Sequence, residues 1–185
     1  HNIAIVFYSA TGTTRQAAQR LANRLDCPVF EIEDPVPRVG LRGDLRCVID
    51  NLLRRHVPYR YTGPELAECE NVVVMAPVWL GHLAAPMRSF LTDHRSFGGG
   101  MAAVAVMASR GGFRAAEDVA MALGRPPHPV LVLLQREIAS GEAEQDIREF
   151  ADSLCSALLT ISPDTAPRPA WLSPNLRSGK VESSD

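Results

Sequence analysis

Five short apolar runs divide this chain, and their spacing constrains the fold more than any other feature. They are Ile3 to Tyr8, Pro28 to Ile32, Asn71 to Pro77, Met101 to Met107 and Val130 to Leu134. Each is rich in β-branched or small residues and short enough for a strand buried on both faces. Between them lie segments with helical periodicity. Thr14 to Leu25 places Ala17, Ala18, Leu21, Ala22 and Leu25 on one side. Asp44 to Arg55 does so with Val48, Ile49, Leu52 and Leu53. Pro86 suits the first turn of a helix whose inner face carries Met87, Phe90 and Leu91. A fourth helical stretch runs to Leu123, and a last one carries Ile147, Phe150, Ala151, Leu154 and Leu158. Strand and helix alternate throughout, which is the pattern of an open parallel sheet covered by helices on both faces.

With 185 residues the chain fits one domain with a sizeable core. Residues 1–160 form that expected domain. Residues 161–185 turn to Pro, Ser and charge and read as a tail, pinned by Trp171 and Leu172. The segment DPVPRVGLRG after the second strand is a loop.

Composition removes several functions. A net charge of -2 with 6% aromatics carries no basic, aromatic-interleaved stripe, so nucleic acid is not an expected partner. The single lysine, Lys180, lies in the tail, which excludes a Schiff base or a phosphate-loop lysine in the folded body. The histidines show no metal-ligand spacing. Cys27, Cys47, Cys69 and Cys155 form no C-x-x-C pair and read as reduced, mostly buried thiols of a cytoplasmic protein. No apolar run reaches the roughly 18 residues that span a bilayer, and no signal peptide is visible.

In open parallel sheets, ligands bind at the carboxyl ends of the strands where the strand order reverses. Three loops qualify. The first is SATGTT: Ser9, Ala10, Thr11, Gly12, Thr13 and Thr14. Its four hydroxyls can donate, Gly12 lets backbone approach a ligand, and a helix starting near Thr14 points its positive end there. A terminal phosphate fits such a nest without a cation; a polar turn whose Thr caps a helix is the simpler alternative. The second is PVWLGHLA, with Pro77, Val78, Trp79, Leu80, Gly81 and His82. Trp79 just past a strand end is exposed unless a planar ligand or its own helix layer covers it. His82 is a polar loop residue or a proton donor. The third is ASRGGF, with Ser109, Arg110, Gly111, Gly112 and Phe113. Paired glycines there free backbone N–H groups for a ligand edge. Arg110 is a surface charge or a ligand contact, and Phe113 a ligand contact or the first core residue of the next helix.

A phosphate at one end and a flat ring at the other describe the ligand these loops would take. At this point the chain resembles the flavodoxin family. Ser9-Ala10-Thr11-Gly12-Thr13-Thr14 matches its S-x-T-G-x-T pattern, and Pro77, Trp79, Gly81 and Pro86 match a second motif. The third loop matches more loosely, and the resemblance spans roughly residues 2–160. It implies a three-layer fold with a five-stranded parallel sheet in the order 2-1-3-4-5. It also implies FMN as cofactor, its phosphate in the first loop. Trp79 would then lie against the isoalloxazine, and backbone N–H groups from Ser109 to Gly112 would meet the pyrimidine edge.

Departures from that family open alternatives. Electron-carrier flavodoxins tend to be strongly acidic, whereas this chain is nearly neutral. The third loop has no clear tyrosine to cover the outer flavin face. Arg110, if about 8 Å from the flavin N1 region, would favour the anionic reduced form by ~2 kcal/mol at an effective dielectric of ~20. Arg38, Arg42, Arg46, Arg54, Arg55 and Arg60 read as a solvated helix face with adjacent loops, or as a patch for an acidic partner or the extra phosphate of NADPH. Three functions follow. One is an electron carrier with a redox partner protein. Another is an NAD(P)H-dependent reductase of quinones or related small acceptors, for which a homodimer is the common form. The third is a flavin-free binding module.

Overall fold

A computed structural model describes residues 3–35, 49–50, 53–109 and 112–160; for 113 and 158–160 it describes the backbone alone. Residues 36–43 of the expected loop at 34–43, most of the expected helix at 44–55 and the expected tail at 161–185 fall outside the described residues. Ile49 and Asp50 are helical.

The five apolar runs form the sheet. In chain order the elements are β1 (Ile3–Tyr8), α1 (Thr13–Leu25), β2 (Val29–Glu33), β3 (Arg60–Tyr61), β4 (Asn71–Trp79), β5 (His82–Leu83) and α2 (Ala85–Asp93). They continue with β6 (Gly100–Met107), α3 (Gly112–Leu123), β7 (Val130–Leu134), α4 (Gln135–Ser140) and α5 (Glu144–Thr160). The sheet order is β3-β2-β1-β4-β6-β7, with β5 paired to β4. The five long strands β2, β1, β4, β6 and β7 are mutually parallel, which is the expected order 2-1-3-4-5. Two-residue β3 and β5 are additions, both antiparallel. The direction of winding reverses between β1 and β4, so the loops after these strands open side by side.

Side chains on β1 alternate between two cores, as strand geometry requires. Ala4, Val6 and Tyr8 face a layer that includes Met87, Phe90 and Leu91 of α2 and Val119 and Leu123 of α3. Ile3, Ile5 and Phe7 face Leu21 of α1 and Ile147, Phe150 and Leu154 of α5. Phe90, Met87, Ile5, Leu91 and Leu133 are fully buried, each side chain stabilising the fold by about 1.5–3 kcal/mol before its ordering entropy is counted. Among the described residues no helix is long and apolar enough to cross a membrane. Cys27, Cys69 and Cys155 are free thiols, and Cys155 is exposed rather than buried.

Candidate functional site

The Ser9–Thr14 loop is a turn organised by one hydroxyl. Ser9 Oγ accepts the N–H groups of Gly12 at 3.0 Å and Arg15 at 3.3 Å. Gly12 holds φ at 91°, a left-handed conformation, and sits at the N-cap of α1, one residue earlier than the sequence periodicity places the helix start. Gly12 has no side chain to cap the helix with, and among the described residues only the Arg15 N–H of the first turn is tied down by a side chain, that of Ser9. Gln16 N–H bonds to the Gly12 carbonyl, while the N–H groups of Thr13 and Thr14 have no acceptor among the described residues. Thr11 and Thr13 hydroxyls lie 3.4 Å apart. Thr14 is 2% exposed, and its hydroxyl likewise has no partner.

Buried polar groups are normally hydrogen-bonded. A cluster of unpaired donors at the positive end of a 13-residue helix with no acid in its first turn therefore fits an anion. The nearest cation does not serve it. Arg15 forms a two-pronged pair with Glu31 of β2, through Nε to Oε2 at 3.1 Å and Nη2 to Oε1 at 2.5 Å. That pairing raises the Arg15 pKa and turns its charge away from the turn.

The second segment is a β-hairpin rather than an open loop. β4 runs through Trp79, and Val78 and Trp79 pair with Leu83 and His82 across Leu80 and Gly81. Both turn residues are left-handed, at φ 52° and 82°, which makes the two-residue turn favoured by the twist of a hairpin. Gly81 belongs there for its conformation, since a Cβ would meet only Arg114 Cδ at 3.9 Å. Leu80 carries a strain of about 1–2 kcal/mol and is 64% exposed. Trp79 is half-buried, its ring set edge-on to Tyr8 with centroids 5.6 Å apart at 85°.

His82 is held by a residue that the sequence reading missed. Its Nδ1 lies 3.0 Å from Oδ2 of Asp118, on α3. The same oxygen accepts the Leu83 N–H at 2.9 Å, and Arg54 Nη2 donates to Oδ1. The Asp118 side chain is 1% exposed. The paired carboxylate orients the imidazole and leaves Nε2 for other contacts. The signal was present: Asp118 stands on the same helix face as Ala115, Val119 and Ala122, where a lone carboxylate requires partners.

The third loop is described in part. Ala108 and Ser109 are exposed at the end of β6, while Arg110 and Gly111 lie outside the described residues, as does the Phe113 side chain. Gly112 opens α3, and a Cβ there would collide with Val132 of β7, so close helix–sheet packing requires glycine. The ends of β1, β4 and β6 are neighbours in the sheet. Ser9, Trp79 and Ser109 thus stand along one edge. Among the described residues no cluster of metal-ligating side chains occurs.

No family model matches the chain, and no curated protein matches it in sequence. Solved structures match it in shape. A flavoprotein of Lactobacillus acidophilus NCFM, in complex with FMN, has a TM-score of 0.60 and 14% identity, over 75% of this chain and 97% of its own. A putative flavoprotein of Bacteroides eggerthii DSM 20697 has a TM-score of 0.68 and 18% identity, over 83% and 98%. A Fusobacterium nucleatum flavodoxin bound to flavin mononucleotide has a TM-score of 0.55 and 10% identity, over 84% and 97%. The chain has the flavodoxin-like fold. Within that fold the three segments above occupy the carboxyl edge of the central strands, where the sheet reverses.

Proposed function

We propose that this flavodoxin-like protein binds FMN at the edge formed by Ser9–Thr14, the Trp79–His82 hairpin and the segment after β6, and transfers electrons through it. The observation that carries the reading is the set of unpaired donors around Thr13 and Thr14, beside an aromatic wall at Trp79. In the same fold, the structures from L. acidophilus and F. nucleatum contain FMN. The donor set suits a phosphate: neutral hydroxyls and N–H groups, no lysine, and an arginine already paired to Glu31. When bound, FMN supplies one- and two-electron redox chemistry. Ser9, Thr11, Thr13 and Thr14 would hold the phosphate, and Trp79 and the hairpin would shield one side of the ring from water. Free thiols fit a cytoplasmic setting.

A second reading, an NAD(P)H-dependent reductase of quinones or related acceptors, is favoured by the His82–Asp118 pair. A half-exposed imidazole oriented by a buried carboxylate can give or take a proton, which two-electron reduction of an organic acceptor requires. A one-electron carrier with a protein partner has no such need.

Titration of FMN into the full chain, followed by flavin fluorescence, tests binding: quenching that saturates at one equivalent is expected, and unquenched flavin would refute it. NADH and NADPH are then added to the loaded protein without oxygen. Rapid loss of the oxidised flavin absorbance assigns the reductase. An unchanged spectrum that bleaches only with dithionite assigns the carrier.

A further inference from the structure

A cavity of about 220 Å³ lies between α2, α3 and residues 54–56, away from the Ser9–Thr14 turn. Arg54, Arg55, His56, Arg88, Ser89 and Asp118 line it. Two of these are deeply buried donors with incomplete partners. Arg88 is 9% exposed. Its Nη1 donates to the Leu83 carbonyl at 3.5 Å, and its Nη2 to the carbonyls of Asp50 at 3.1 Å and Arg55 at 3.5 Å. A guanidinium has five N–H donors, so Nε–H and one Nη1–H have no acceptor among the described residues. Ser89 is 2% exposed. Its Oγ accepts the Val57 N–H at 2.9 Å, and its own O–H has no acceptor there either.

The charges around the cavity are mostly committed. Asp118 holds Arg54, His82 and the Leu83 N–H. Asp93 holds His56 at 2.9 Å and Tyr59 at 2.8 Å. Asp50 and Asp118 act on Arg88 through space, but desolvation outweighs them and pushes the guanidinium below the usual arginine range. Arg55 is exposed, and its side chain has no partner among the described residues. Among the described residues every donor left over lacks an acceptor, and neither guanidinium, Arg88 nor Arg55, has a hydrogen-bonded carboxylate.

We propose that this cavity binds a compact oxyanion, a phosphoryl group or a carboxylate, through Arg88, Ser89 and Arg55. An anion there would complete the coordination of a buried cation, where a charge-assisted hydrogen bond is at its strongest. The site does not depend on the flavin reading, since none of its residues belongs to the edge assigned to FMN except through the Asp118–His82 contact.

The test is a ¹H–¹⁵N NMR titration of the full chain at fixed ionic strength with inorganic phosphate, acetate and adenosine 2′-monophosphate, against sodium chloride. Saturable shifts are expected at residues 54–57, 88–92 and 118–122. Saturation with free phosphate, with the esterified phosphate or with acetate alone identifies the source of the oxyanion, and each outcome supports the site. Arg55→Ala, at an exposed position, should weaken binding about tenfold, the loss of one charged hydrogen bond, and leave FMN affinity unchanged. Arg88→Met should abolish saturation; if that variant does not fold, Arg55→Ala decides alone. Shifts that only track chloride, shifts confined to 9–14, or equal affinity in Arg55→Ala would overturn the proposal.

Discussion

The turn at Ser9–Thr14 and the hairpin at Trp79–Leu83 sit on adjacent strands, yet they leave their polar groups in opposite states. Around Asp118 every oxygen of a buried carboxylate is matched by a donor, from Arg54, His82 and the Leu83 N–H. At the start of α1, donors stand without acceptors, down to the buried hydroxyl of Thr14. A completed network holds a fold together. An uncompleted one costs stability and is ready for a ligand. The contrast is between a hairpin whose polar groups are satisfied within the fold and a turn whose donors, among the described residues, are not.

Thr14→Val is the sharpest way to break this contrast. It removes the orphan hydroxyl and keeps the shape, so FMN affinity should fall by about 1.5–3 kcal/mol while the unfolding midpoint in urea stays level or rises. A loss of both would mean that the hydroxyl has a structural partner. Asp118→Ala should do the reverse. It strands the buried Leu83 N–H and should cost about 1–3 kcal/mol of stability, measured by chemical denaturation. The Arg54 side chain is 47% exposed and adds little beyond that. Its effect on FMN should come only through a loosened hairpin.

Smaller changes sharpen the comparison. Leu80→Gly relieves the left-handed strain at the hairpin tip and should stabilise the protein by up to about 1 kcal/mol, against the extra chain entropy of glycine. Thermal unfolding reads it. Glu31→Gln frees Arg15 beside the first turn. FMN affinity should rise only a few-fold and lose the gain at high salt, because an exposed charge is screened. A large, salt-resistant gain would show that the turn is not a cation-free phosphate site.

How much of this the sequence revealed depends on the range of the contacts. The sheet was legible because each buried strand writes its own apolar run, and Val130–Leu134 was bounded to the residue. The first turn was legible because its hydroxyls, glycine and helix start are contiguous. The hairpin was not: its turn is Leu-Gly, and leucine in a left-handed position is a poor signal for a turn that favours Asn-Gly. Nor was the His82–Asp118 contact, which joins residues 36 apart, or the turning of Arg15 onto β2. The arginines Arg38 to Arg60 read as one group, yet Arg54 is tied to Asp118, while the Arg55 side chain has no partner among the described residues. Arg38, Arg42 and Arg46 lie outside the described residues. Long-range pairing decides what a charge does, and local pattern does not carry it.

The register of the sheet sets the relief of its edge. Phe7 of β1 lies opposite Met75 of β4, so Tyr8 ends level with Ala76, while β4 continues through Pro77, Val78 and Trp79. Three further residues raise a step of roughly 10 Å at about 3.3 Å each, with Ser9 at its foot and Trp79 at its top. The height of that step is counted in whole residues. Loss of a single residue from Pro77–Trp79 would lower it by one rung and, because strand side chains alternate, swing the indole to the other side of the sheet. Substitutions can adjust such a ledge gradually; insertions and deletions can only rebuild it.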